Sequence, residues 1–355
     1  MSGLIMVNEL LILALSVLLA GVFSWGFRSL PREEWQIAAS VPIAKDDGGR
    51  WQGLNLTYYG VLSANAYASG VAVIFVLMGA VRVPSRGTFT LVAAVLALCV
   101  PASRFVARFV ERRRNGLTVG GAAFVGILAA PWAILVVNHT VGRLVDVQVP
   151  VVPALAAASI GYAFGEGIGR LSCVSFGCCY GKPLSQIHPR LQRLFERYSF
   201  VFAGKTKKIA YESGLDGEKV VPIQGITAVL YVATSLVAAD LFLHGRHVAA
   251  LCLSLLVTQV WRVISETLRA DYRGGGRISA YQVMAVSGLL YLMFALPFLP
   301  RMPAPRADLV AGIRSLWDPA VILFLQLLWI GTFLYTGRSV VTGSTLSFYV
   351  HRERI

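Results

Sequence analysis

The stretch Gly165–Pro183, GEGIGRLSCVSFGCCYGKP, gathers residue types that do chemistry: five glycines, Cys173, Cys178 and Cys179, together with Glu166 and Arg170. It closes an apolar run. A charge at membrane depth is costly, so it marks a functional site by default. Glycine lets backbone turn tightly and approach a ligand closely. A second polar island, Trp261–Arg277, reads WRVISETLRADYRGGGR. There Arg262, Glu266 and Arg269 are spaced four and three apart and share one face of a helix end. Glu266 is expected to hold either arginine in an ion pair and so aim a guanidinium at a phosphate. Two further sites are Tyr58-Tyr59-Gly60 and GLTVGG at 116–121, the latter just after Arg112-Arg113-Arg114. Each feature alone has an ordinary reading. Arginines at helix ends snorkel, tyrosines sit at interfaces, and small residues pack helices.

The elements that must position these residues are membrane helices. Of 355 residues, 56% are hydrophobic and 14% charged, against about 25% charged in a soluble domain. So much apolar surface must face lipid. A window the length of a membrane crossing finds nine apolar segments, near 8–28, 59–80, 87–104, 119–138, 151–171, 223–243, 247–266, 280–299 and 318–336. The expected fold is an all-α integral membrane protein. The first segment lacks the basic front end and cleavage site of a signal peptide and is read as a retained helix. The fifth ends in glycine-rich sequence and is expected to stop in an interfacial or re-entrant turn. Residues 29–58 form a polar linker, and residues 172–222 are long enough for a small extramembrane head.

The net charge is +14 and the pI near 9.9. The arginines cluster at helix ends, where anionic lipid headgroups are the nearer partner, and no aromatic-interleaved basic stripe favours nucleic acid. The positive-inside rule places the loops 29–58, 105–118, 172–222 and 267–279 in the cytoplasm.

The order of the motifs along the chain resembles the bacterial prolipoprotein diacylglyceryl transferase family. That family carries a tyrosine-glycine, a glycine-rich motif with a histidine, a GRxGNFxNxExxG signature, a proline-x-glutamine, an RFxxExxR-like element and a final glutamine-bearing helix. Here stand YYG at 58–60, GLTVGG at 116–121, GRLSCVSFGCCYG at 169–181, VPIQ at 221–224, RVISETLR at 262–269 and Ala280-Tyr281-Gln282. The resemblance covers residues 55–300. It implies a seven-helix core, with residues 1–54 and 301–355 adding a helix at each end.

It also implies a transferase that moves a diacylglyceryl group from phosphatidylglycerol to the cysteine thiol of a prolipoprotein, releasing glycerol phosphate, in the bacterial cytoplasmic membrane. No metal or organic cofactor is implied. By position, Arg170 matches the signature arginine, Arg262 the second essential arginine, Glu266 its acidic neighbour and Tyr59 the family tyrosine. Gly169, Gly181, Gln224, Arg269 and Gln282 fall within the matched motifs as substrate-binding candidates. On this resemblance the same loops lie outside the cytoplasm, so the orientation stays open.

The sequence departs from the pattern at informative places. Ser172 and Cys173 replace the glycine and asparagine of the signature, Cys178 replaces its glutamate, and Thr118-Val119 stand near the missing histidine. The general base and the acceptor are thereby left open. The cysteines have four readings: small packing residues, a redox pair, a metal site (against which Cys-x4-Cys-Cys lacks ordinary zinc spacing), or a nucleophilic Cys173 beside Arg170. Cys99 and Cys252 lie within apolar spans and are read as inert. Glu166 is preferred over the loop residue His188 as the base, because a carboxylate at membrane depth resists ionisation. The rival expectations are a relative using another acceptor and a non-catalytic lipid-binding protein. A transporter is disfavoured by the absence of an inverted repeat.

Overall fold

The computed structural model describes residues 2–110, 118–144, 146–272, 276, 278–300 and 305–355. In chain order the elements are α1 (Ser2–Ser29), β1 (Ile37–Lys45), β2 (Trp51–Thr57), α2 (Tyr58–Ala80), α3 (Ser85–Val110), α4 (Val119–His139), α5 (Val141–Leu144) and α6 (Val151–Phe176). Then come α7 (Pro189–Phe195), β3 (Phe200–Val201), α8 (Lys208–Ser213), β4 (Lys219–Val220), α9 (Ile223–Leu243), α10 (His247–Leu268) and α11 (Ala280–Ala295). The chain ends with α12 (Leu309–Ser315), α13 (Pro319–Thr336) and β5 (Arg338–Leu346).

Among the described residues, nine helical spans are long and apolar enough to cross a membrane, and they match the nine expected segments closely. The protein is a multi-pass, all-α membrane protein. Its lipid-facing side chains are those expected of such a bundle: α1, for example, exposes Leu10, Leu13, Val17 and Leu18.

Helix α6 is the most buried span and packs against α2, α9, α10 and α4. Its small residues explain this. A Cβ on Gly70 of α2 would lie 2.8 Å from the Gly161 carbonyl oxygen and 3.2 Å from Gly165 Cα. Without side chains at these positions the two helices touch backbone to backbone, as membrane helices do where small residues meet. This corrects the expectation of a turn at the glycine-rich end of the fifth span. Gly165, Gly167 and Gly169 are helical, and α6 runs on to Phe176. The break comes at Gly177, whose left-handed φ of 70° caps the helix.

Successive spans reverse direction, so the start of α2, α4, α9 and α11 and the end of α1, α3, α6, α10 and α13 share one membrane face. The polar segments gather there. The linker is more ordered than expected. It forms the antiparallel hairpin β1–β2, to which β5 adds through pairings such as Trp51 with Leu346. The boundary expected at residue 54 therefore falls inside a strand, and the two flanking segments are joined by one sheet. The head over 177–222 packs Phe200, Phe202, Ile209 and Val220 against Leu19, Phe23 and Leu30 of the first helix and its end. Lys207 is fully buried beneath it and donates from Nζ to the carbonyls of Ser175 (2.6 Å) and Leu30 (3.2 Å). Burial pulls its ammonium down to about 8, with Glu33 opposing.

Candidate functional site

The site is built first on one stripe of α6. Tyr162, Glu166, Arg170 and Cys173 are spaced four, four and three apart and so lie along one helix face. Glu166 is the centre. Its Oε1 accepts a close ion-paired bond from Arg170 Nη2. Its Oε2 accepts from Arg262 Nη2 on α10 at 2.9 Å, and Oε1 lies 3.2 Å from the same nitrogen. Arg262 Nη2 also donates to Tyr162 Oη at 2.6 Å. One carboxylate thus joins two guanidiniums from two helices. The expected partner of Arg262 was Glu266, and the structure corrects this: Glu166 reaches across from α6 and takes that place.

Arg269 is likewise held by a different carboxylate, through two 2.8 Å bonds from Nε and Nη2 to Asp271. This fork-to-fork pair fixes the plane of the guanidinium. Glu266 stays near both Arg262 and Arg269. Its Oε2 is buried without a hydrogen-bond partner among the described residues. The Nε donors of Arg170 and Arg262 are also buried and unpartnered there. Such orphan groups are costly unless a ligand satisfies them.

The glycine motif meets this cluster at the start of α4. A Cβ at Gly120 would stand 2.7 Å from Arg262 Nη1. The Tyr281 ring would be nearer still, so glycine here lets α4 pack closely on both Arg262 and Tyr281. Thr118 caps the helix, and its backbone N–H donates to Ser103 Oγ at 2.7 Å. Arg112, Arg113, Arg114, Gly116 and Leu117 of the fourth motif lie outside the described residues.

The signature segment then folds back on itself. Cys178 N–H donates to the Cys173 carbonyl at 3.0 Å, and Cys179 has the left-handed φ of 58°. That conformation is uncommon outside glycine, asparagine and aspartate and marks a constrained position. The result is that the three sulfurs of Cys173, Cys178 and Cys179 lie within 4.8 Å of one another. All five cysteines are thiols, with Cys173 Sγ 3.9 Å from Cys179 Sγ. Arg170 interacts electrostatically with Cys173 and Cys179, and Arg269 with Cys179. Tyr59 lies beside all three and packs its ring 5.5 Å from Phe176.

Backbone bonds hold this fold-back in place. Lys182 N–H donates to Leu268 O at 2.9 Å, Ala270 N–H to Tyr180 O at 3.1 Å, and Val221 N–H to Lys182 O at 3.0 Å. Gly181 bridges Arg269, and a Cβ there would strike the Val221 carbonyl. Gln224 Nε2 donates to Cys178 O at 2.9 Å. The signature, the proline-x-glutamine and the arginine element are thus one backbone-stitched unit.

No protein-family model matches this chain, and no curated protein matches it. The site must be read from its own geometry.

That geometry sorts the expected residues. Arg170, Arg262, Glu166, Cys173, Tyr59, Arg269 and Glu266 come together. Gln282 lies apart in role: it closes a capping box with Ser279 at the start of α11, and its Nε2 donates to Val263 O at 3.0 Å. Gln224 and Gly181 shape the cysteine turn. Gly169 is not sterically required, since a Cβ there would meet Ala66 at an ordinary 3.5 Å. His188 caps α7 in the head. Sequence reasoning missed Tyr162 and Asp271 as partners of the arginines, whereas Gly120 falls within the expected GLTVGG motif. The four-residue spacing back from Glu166 could have pointed to Tyr162.

Proposed function

We propose that the protein is a bacterial cytoplasmic-membrane transferase that takes a diacylglyceryl group from phosphatidylglycerol and passes it to a thiol, the cysteine of a prolipoprotein. The observation that carries this reading is the pair of guanidiniums hung on Glu166, each with a buried Nε that has no partner among the described residues. Two forked donors at one point fit a phosphate. Their depth at the end of a helical bundle fits a headgroup whose acyl chains remain in the apolar bundle region.

In the reaction the acceptor sulfur forms a bond to the terminal glycerol carbon of the diacylglyceryl group. The bond from that carbon to the phosphate oxygen breaks, and its electron pair leaves with glycerol phosphate. Charge grows on the phosphate, where Arg170 and Arg262 stabilise it without reorganising. Glu166 is the positioning carboxylate: both its oxygens already accept from arginine. Glu266 has a buried carboxylate oxygen without a partner among the described residues, and it takes the thiol proton. The base expected at Glu166 is therefore assigned to Glu266.

The test supplies phosphatidylglycerol labelled in its terminal glycerol to the purified protein, with and without a lipobox peptide. Peptide-dependent release of labelled glycerol phosphate, lost in Arg170→Ala and Arg262→Ala, is the expected result. Release without peptide means another acceptor. Retention of the lipid with no release under any condition makes the protein a lipid binder and ends the transferase reading.

A further inference from the structure

The three clustered thiols are more than the arginine site requires. We propose that Cys173, Cys178 and Cys179 form a three-thiolate site for zinc, with the fourth coordination position open to the acceptor thiol. This rests on the transferase reading for its role, and on the geometry alone for its existence.

Zinc–thiolate bonds of about 2.3 Å place tetrahedral sulfurs roughly 3.8 Å apart. Cys173 and Cys179 already stand 3.9 Å apart. All three sulfurs lie within 4.8 Å of one another, so a contraction of at most about 1 Å reaches that geometry. The sequence spacing Cys-x4-Cys-Cys conceals this, because it is the left-handed Gly177 and Cys179 that turn the second pair back onto the helix end. The turn has its own support from Gln224, which holds the Cys178 carbonyl.

Charge also fits. Three thiolates and one divalent ion carry one net negative charge, and Arg170 and Arg269 border the cysteines. Cys178 is buried while Cys173 and Cys179 are half-buried, so the trio has an accessible side. Three protein ligands with an open position is the pattern of a catalytic rather than a structural zinc.

The site supplies what the missing signature histidine leaves wanting. The acceptor S–H bond breaks as sulfur joins the ion, and Glu266 takes the proton. The resulting thiolate then forms the carbon–sulfur bond as the carbon–oxygen bond to phosphate breaks. No oxidant or reductant enters.

The test starts with zinc content and with cobalt titration of the reduced, metal-stripped full-length protein. One zinc per chain and thiolate-to-cobalt charge-transfer absorption are expected. That absorption should fall in Cys173→Ser and Cys179→Ser and persist in Cys252→Ser, whose thiol lies in a span away from the site. Absence of cobalt absorption after reduction, or absorption indifferent to the trio, overturns the site. Metal removal should lower peptide-dependent transfer roughly a hundredfold, the scale of lost acid–base activation, and zinc should restore it. Transfer unchanged by stripping overturns the role of zinc and leaves the transferase reading standing. Trio-dependent metal binding without any transfer ends the transferase reading and leaves the site.

Discussion

The two halves of α6 bury opposite chemistries. Residues 151–161 carry Val151, Val152, Leu155 and Ile160 into an apolar core with Leu77, Met78, Phe242 and Leu251. Residues 162–176 bury Glu166 and set Tyr162, Arg170 and Cys173 along the same face. The first half stabilises by contact and has no use for a ligand. The second half buries charge, which costs free energy unless each charge is paired, and together with Arg262 of α10 it leaves two arginine donors unpaired among the described residues. Stability alone does not account for the charged half, since an apolar half would hold the bundle at least as well; the proposed phosphate site would account for it.

Mutations in each half should therefore fail differently. The largest effect is expected from Glu166→Ala, which strands two buried guanidiniums. A loss of about 3–5 kcal/mol follows from breaking a buried ion network, read by denaturant unfolding in detergent. A loss no greater than that of a surface substitution would remove Glu166 from the centre of the account. Arg170→Lys and Arg262→Lys come next. They keep the charge but lose the fork, and transfer should fall roughly 10²–10³-fold while unfolding moves little. Equal activity would show that a point charge is enough.

Leu155→Ala, in the apolar half, should cost about 2–3 kcal/mol through its cavity. The folded fraction should keep full transfer; if the rate fell as well, the two halves would not be separable. The most gradual effect, spread over several pH units, concerns Lys207, a buried cation with no carboxylate clamp of its own among the described residues. Its folded value of about 8 lies below the ordinary 10.5. Between these two values the unfolded chain holds a proton that the folded one has released. Stability should then rise as pH goes from 8 towards 10.5, by at most about 1.4 kcal/mol per pH unit. Lys207→Met should flatten that rise in thermal unfolding scans.

Much of the fold is legible in the residues themselves, because lipid demands long apolar helices and these announce themselves by composition. The nine spans needed no tertiary knowledge. What composition could not show is decided by packing between distant segments. The run of Gly165, Gly167 and Gly169 reads as a turn, yet it is helical, with Gly165 packed on Ala66 and Gly70 of α2 and Gly167 on Ala228 and Val232 of α9. The strands of the linker need β5, nearly three hundred residues away, to complete their sheet. The arginines of the site are visible at span ends. The partner of Arg262 is not, because Glu266 is its near carboxylate in sequence and Glu166 the near one in space, whereas Arg170 and Arg269 pair locally with Glu166 and Asp271. The cysteine trio was obscured for a related reason, since its geometry depends on two left-handed residues that spacing does not reveal.

The central claim is that Arg170 and Arg262 hold one phosphate together. A double-mutant cycle on phosphatidylglycerol binding, measured by native mass spectrometry on wild type, Arg170→Ala, Arg262→Ala and the double variant, tests it most directly. The account predicts strong coupling, with the double variant losing hardly more affinity than either single one. Losses that simply add would mean that the two arginines serve separate groups, and would contradict it.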